Sequence, residues 1–192
     1  MILKNLKNKQ VILASGSPRR QEILKSIGVD FKVELRSVNE VFNDKLKHHE
    51  ISDFLAKLKA DQFTDLLGNE VLITGDTIVW HNDRALNKPN DKDEAFEMIQ
   101  SLSNTTHEVI SSFCIKTTEK ENVYYDVTKV KFKPLTKEEI WHYIHTYSPM
   151  DKAGAYGIQE WIGQIGISEI NGSFYTVMGF PVHLVYEHLS KL

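Results

Sequence analysis

Apolar residues along this chain fall into runs whose spacing identifies the elements they form. Val11 to Ala14 is a short uninterrupted apolar run of strand type. Ser15-Gly-Ser17 breaks it, and Pro18 brings the preset φ that suits the first position of a helix. Ile23, Leu24 and Ile27 then recur at helical spacing, and Gly28 suits the left-handed residue beyond the helix end. Phe31 to Leu35 alternates Phe, Val and Leu with Lys and Glu, the pattern of a half-buried strand. The predicted opening is strand, loop, helix, strand.

Asn39 to Glu50 is polar and reads as loop. Ile51, Phe54, Leu55 and Leu58 supply the stripe of a helix expected to run to near Gly68, with Lys57 and Lys59 off the stripe. Val71 to Trp80 is the most apolar segment and predicts a central strand, with Asn82-Asp83 turning it into Ala85-Leu86. Asp91 with Glu94 can cap a helix that buries Ala95, Met98, Ile99 and Leu102. Val109–Thr117 and Val123–Phe132 predict a long antiparallel hairpin. Thr136 with Glu139 opens a helix through Ile140, Tyr143 and Ile144. Glycines 154, 157, 163, 166, 172 and 179 then predict loops and short strands, and Pro181 starts a last helix with Val182, Val185 and Leu189 on one face.

The chain is expected to be one domain of two closely packed lobes over 1–192. At 192 residues it can bury a sizeable core without disulfides. Cys114 is the only cysteine and lies between Phe113 and Ile115, which excludes an internal disulfide and a multi-cysteine zinc site. The net charge of −3 argues against a non-specific nucleic-acid partner, so any cationic site is local. Lysines and asparagines interrupt the first ten residues too often for a signal peptide, and no run reaches membrane-spanning length. The expected location is cytoplasmic.

Two anomalies carry chemistry. Arg19 and Arg20 occupy the first turn of the first helix, where the positive end of the helix dipole disfavours cations by roughly 0.3–1 kcal/mol each. With Ser15 and Ser17 just before them, Ser-Gly-Ser-Pro-Arg-Arg is either a phosphate cradle or a serine cap followed by two solvated arginines. Asp76 interrupts the apolar run from Val71 to Trp80. An unpaired carboxylate costs several kcal/mol to bury, so Asp76 is either a strand-end carboxylate facing a cleft or a turn aspartate bonding its own backbone. Lys59, Lys88 and Lys152 add cations that each read as surface residues when taken alone. Walker, dinucleotide, zincin and Gly-x-Ser-x-Gly patterns are all missing from the sequence.

In order, Ala14-Ser-Gly-Ser-Pro-Arg-Arg20, Lys59-Ala60, Gly75-Asp-Thr-Ile-Val79, Asn87-Lys-Pro89, Asp151-Lys-Ala-Gly-Ala-Tyr-Gly-Ile-Gln159 and Ile170-Asn-Gly-Ser173 closely resemble the Maf family of nucleoside triphosphate pyrophosphatases. The resemblance runs from about Val11 to the last helix. It implies an α/β protein of the Maf/inosine-triphosphate-pyrophosphatase-like fold, a mixed β-sheet flanked by helices with a cleft between two lobes. The implied protein is a cytoplasmic homodimer that cleaves a nucleoside triphosphate into monophosphate and pyrophosphate with Mg²⁺ or Mn²⁺. The stretch ending in Gln159 is similar to the subgroup acting on dTTP and UTP. By the same resemblance Asp76 is the catalytic residue, and Arg19, Thr77 and Gln159 determine specificity. Ser15, Ser17, Arg20, Lys59 and Lys88 bind phosphates, and Glu40 joins Asp76 near the metal. Glu160-Trp-Ile162 departs from the family's glycine-rich wording after Gln159. The family's link to inhibition of cell division implies an alternative, a nucleotide-binding regulator that does not hydrolyse.

Overall fold

The computed structural model describes residues 3–192. Seven strands form one mixed sheet: β1 (Gln10–Leu13), β2 (Phe31–Val33), β3 (Glu70–His81), β4 (Arg84–Leu86), β5 (Thr106–Lys116), β6 (Glu121–Phe132) and β7 (Ile167–Asn171). Their order is β2-β1-β3-β5-β6-β7, with β4 also on β3. β1 runs parallel to both β2 and β3, and every other pairing is antiparallel. Parallel neighbours need crossovers, which are supplied by α1 (Pro18–Ser26) and α2 (His49–Asp61).

Strand alternation sorts the core. Val11, Leu13, Val71, Ile73, Phe113 and Ile115 meet α1 and the last helix, α7 (Val182–Leu189), whose Val185 and Leu189 are fully buried. Ile12, Leu72 and Cys114 point to the opposite face, where Ala60 and Phe63 cover them. Burial raises the Cys114 thiol to about 12, so it packs as a small apolar group. A third cluster joins α3 (Lys92–Leu102) and α4 (Lys137–Tyr147) to the far halves of β3, β5 and β6.

Local capping chemistry behaves as predicted at most helix starts. Ser17 accepts from the Arg20 N–H, Asp91 accepts from the Glu94 N–H, and Thr136 with Glu139 forms a reciprocal capping box. Glu94 reaches back one residue further than expected, to the N–H of Asn90 at 2.7 Å. Two expectations are corrected. α2 stops at Asp61, seven residues before Gly68, because Phe63 turns into the core and its N–H closes a tight bond to Ala60 O at 3.1 Å. The glycine-rich stretch also holds α5 (Trp161–Gly166) and α6 (Phe174–Val177), besides a 3₁₀ turn at Ala153–Ala155. Gly163 is there for space, since a Cβ on it would stand 1.8 Å from the carbonyl oxygen of Ile158.

β3 outruns its parallel neighbour. β1 pairs it only through Leu13 opposite Ile73, and β4 rejoins that side at Val79 opposite Leu86. Among the described residues no strand covers the interval from Thr74 to Ile78 on that edge, while β5 covers the other edge throughout. A notch is therefore cut into the sheet, and Asp76 lies at its centre. This corrects the expected strand-end position: Asp76 is in mid-strand, but beyond the end of the neighbouring strand.

His107 is a polar residue in the core, 2% exposed, with Nε2 bonded to the Tyr156 hydroxyl at 2.8 Å and Nδ1 unpartnered. Burial depresses it from 6.5 to about 3, so the native chain refuses a proton that the unfolded chain accepts. A depressed imidazole gives stability above its unfolded value that drains as pH falls. Urea unfolding across pH 7 to 4 is expected to show the stability gap between wild type and His107→Gln narrowing as pH drops. Gly163→Ala is expected to cost about 3 kcal/mol in the same measurement at pH 7, from the overlap with Ile158.

Candidate active site

The loop between β1 and α1 faces the notch, and Arg20 fills its floor. Its Nε donates to Gly179 O at 2.8 Å, Nη1 to Gly75 O at 2.9 Å and to Ser15 Oγ at 3.2 Å, and Nη2 to Thr77 Oγ1 at 3.0 Å. Gly75 O is a strand carbonyl that β1 is too short to reach. The guanidinium replaces the missing strand. Four of its five N–H groups are committed to neutral acceptors, and no carboxylate contacts it among the described residues. Burial pulls it below its usual value while Asp76 and Glu40 pull it back. Of the two readings of Ser-Gly-Ser-Pro-Arg-Arg, the solvated-arginine one fails at Arg20.

Asp76 is 8% exposed and sits on the α2 side of β3. Lys59, near the end of α2, donates to its Oδ1 at 2.7 Å and stands 3.2 Å from Glu40 Oε1. Burial pushes the Asp76 carboxyl up, and Lys59 and then Arg20 oppose that push. The stripe analysis placed Lys59 off the apolar face of α2, and in the structure that direction leads into the notch. Its exposed appearance in the sequence was misleading, since its side chain is 17% exposed.

The opposite wall is the segment after α4. Asp151 pairs with Arg19 at 3.0 Å, and Lys152 sits 2.7 Å from Asp151 and 3.2 Å from Glu160. Tyr156, Gly157 and Gln159 continue this wall, with Gly154 N held by Asn87 O at 3.2 Å beside Lys88. One cavity gathers Ser17, Arg19, Arg20, Lys59, Asp76, Thr77, Lys88 and Gln159, and a second, contiguous one adds Ser15 and Glu40. Every site residue expected from the sequence is brought to these two cavities.

The structure refines several of them. Thr77 Oγ1 accepts from Arg20 and bonds Ser111 Oγ at 2.9 Å, while Ser111 donates to Thr176 O at 2.8 Å. Thr77 therefore meets the cleft with its hydroxyl already engaged. Lys88 is exposed at the rim. Gly179, Tyr156 and Glu160 were missed by sequence reasoning. Gly179 matters through its carbonyl, which carries no side-chain signal, and its φ of +98° is open to few other residues.

For a divalent cation the donors present are two carboxylates, Asp76 and Glu40, that converge on one ammonium. No group of three or more acidic, His or Cys ligands exists among the described residues. That fits Mg²⁺ or Mn²⁺, hard cations that take one or two carboxylates and complete their shell with substrate phosphates and water.

A family model described as Maf-like protein matches residues 10–192. The chain is 51% identical over 193 residues to the dTTP/UTP pyrophosphatase of Flavobacterium johnsoniae, covering 100% of both chains. It is 53% identical over 190 residues to that of Flavobacterium psychrophilum, covering 98% of this chain and 97% of the other. The dTTP/UTP pyrophosphatase of Bacteroides fragilis is 45% identical over 193 residues, with 100% of each covered. Among solved structures, the Staphylococcus aureus Ham1 protein aligns with a TM-score of 0.52 at 13% identity, over 95% of this chain and 99% of that one, a likeness of fold. The family model spans the serine-arginine loop, the notch in β3 and the wall that ends in Gln159, and the likeness to its members is end to end: the chain belongs to the Maf family.

Proposed function

We propose that this chain hydrolyses dTTP and UTP to the monophosphate and pyrophosphate, acting as one unit over 1–192. The relatives carrying that activity in their names match it along its whole length. The observation that carries the mechanism is Asp76, a buried carboxylate held by one lysine in a cavity whose remaining charged lining is largely cationic. Pure phosphate binding gains nothing from a carboxylate there, whereas hydrolysis needs a group that takes a proton from water.

Asp76 Oδ1 is held by Lys59, and no hydrogen bond to Oδ2 is found among the described residues. That oxygen accepts the proton of a water as it attacks the α-phosphorus, and the bond from that phosphorus to the bridging oxygen breaks. Ser15, Ser17, Arg20, Lys59 and Lys88 hold the phosphates and offset the charge of the departing pyrophosphate. Phosphoryl transfer asks mainly for such positioning and neutralisation. Asp76 and Glu40 would hold Mg²⁺ or Mn²⁺, which supplies further charge neutralisation on the phosphate oxygens. Arg19, Thr77 and Gln159 set substrate specificity, with Gln159 choosing the base and Thr77 acting through Arg20.

The protein works as a cytoplasmic homodimer with neither nucleic acid nor membrane as partner. The family resemblance supports the dimer and the compartment. No helix among the described residues is long and apolar enough to cross a membrane, and the net charge of −3 gives no general attraction to nucleic acid.

Pyrophosphate release with Mg²⁺ against dTTP, UTP, CTP, ITP and 7-methyl-GTP tests this directly. Turnover of dTTP and UTP is expected, with Asp76→Asn lowering kcat by about 10²–10⁴-fold while UTP binding persists. Silence across the panel with binding intact would transfer the protein to the regulatory reading.

A further inference from the structure

We infer that Glu160 is a positioning residue for nucleotide binding: braced by Tyr143, its carboxylate holds the Lys152 ammonium in the cleft wall next to Gln159. Glu160 stands at the N-terminal boundary of α5, yet its side chain caps nothing in that helix. The carboxylate instead turns back over the preceding turn. Oε1 lies 3.2 Å from Lys152 Nζ, and Oε2 accepts from the Tyr143 hydroxyl.

Each member of this arrangement is fixed from outside it. Tyr143 is fully buried on α4, which is itself anchored by the Thr136–Glu139 capping box. Its hydroxyl accepts from Gly157 N at 3.0 Å, which leaves its own proton for Glu160. Gly157 has no side chain for a reason: a Cβ there would stand 2.8 Å from Glu160 Cδ. Glu160 N closes the turn onto Gly157 O at 3.0 Å, so Gln159 is carried by a turn pinned at both ends.

Lys152 is the output of this brace. Its side chain is 9% exposed, hydrogen-bonded to Asp151 at 2.7 Å and ion-paired with Glu160 at 3.2 Å. Arg19, Asp151, Lys152 and Glu160 alternate in sign along the wall and sum to zero. Paired with two carboxylates, the Lys152 ammonium keeps little uncompensated charge for a polyphosphate. An ammonium fixed in this way lines the cleft beside Gln159, where it suits a neutral oxygen of the nucleoside, a base carbonyl or a sugar hydroxyl. Glu160 therefore serves affinity and base recognition, through Lys152, and leaves the chemistry at Asp76 alone.

This inference rests on the nucleotide-hydrolase reading, and a double-mutant cycle separates the two. Wild type, Glu160→Gln, Lys152→Met and the double variant are compared in KM and kcat for UTP and in Kd for UTP by calorimetry, below the measured Tm of each. Glu160→Gln is expected to raise KM and Kd about tenfold with kcat within about twofold, and to add nothing in the Lys152→Met background. Tyr143→Phe, which keeps the carboxylate and loosens it, is expected to give a smaller rise that also vanishes in that background. Equal losses from Glu160→Gln in both backgrounds, or a loss confined to Tm, would overturn the inference. A wild type that binds UTP without releasing pyrophosphate overturns the hydrolase reading instead, and the Kd cycle still decides this one.

Discussion

A strand longer than its neighbour leaves peptide groups that something else must pair, and leaving a buried one bare costs about 1–3 kcal/mol. Here β3 continues past the end of β1, and the Gly75 carbonyl falls in the uncovered interval. Arg20 answers it from the first turn of α1, and the same guanidinium reaches Ser15, Thr77 and Gly179. Gly75 gives room on the opposite edge, where a Cβ would stand 3.0 Å from Ser112 O, while Arg20 Nε at 3.6 Å would be in ordinary contact. β1, α1, β3 and the segment before α7 are thus tied at one point. The cleft is the space left around that tie.

The tie is made with neutral acceptors, which has an electrostatic consequence. A guanidinium spent on a carboxylate would have cancelled its own field, whereas one spent on carbonyls and hydroxyls keeps it. Asp76 feels that field together with that of Lys59, whose ammonium it shares with Glu40. The notch therefore combines a retained positive charge with a carboxylate made costly by burial. The retained positive charge is what a bound polyanion would offset.

Much of this was legible in the sequence wherever the signal was local. Ser17, Asp91 and Thr136 cap helices because caps act over three residues, and Val71 to Trp80 reads as a central strand from its own composition. Cations against the helix dipole and a carboxylate in an apolar run singled out Arg20 and Asp76, which both line the cleft. What could not be read locally was register. Whether Asp76 ends a strand depends on where β1 stops, some sixty residues earlier in the chain. Lys59 looked like a surface lysine because its direction off the apolar stripe has meaning only once β3 is in place. Glycines at 157 and 163 suggested loop, yet they are excluding a Cβ from a carboxylate and a carbonyl. Glu160 and Gly179 matter through partners that no spacing rule connects to them.

Adjacent arginines end up with opposite tasks because consecutive helical side chains point about 100° apart. Arg20 turns inward to β3, and Arg19 turns across the cleft to Asp151, whose side chain is 58% exposed. An exposed pair of that kind is worth roughly 0–1 kcal/mol and is easily exchanged for another anion. The Arg20 contacts, one of which pairs the otherwise bare Gly75 carbonyl, are not exchangeable in that way. One turn of one helix therefore carries a permanent contact that builds the cleft and a releasable one that spans it.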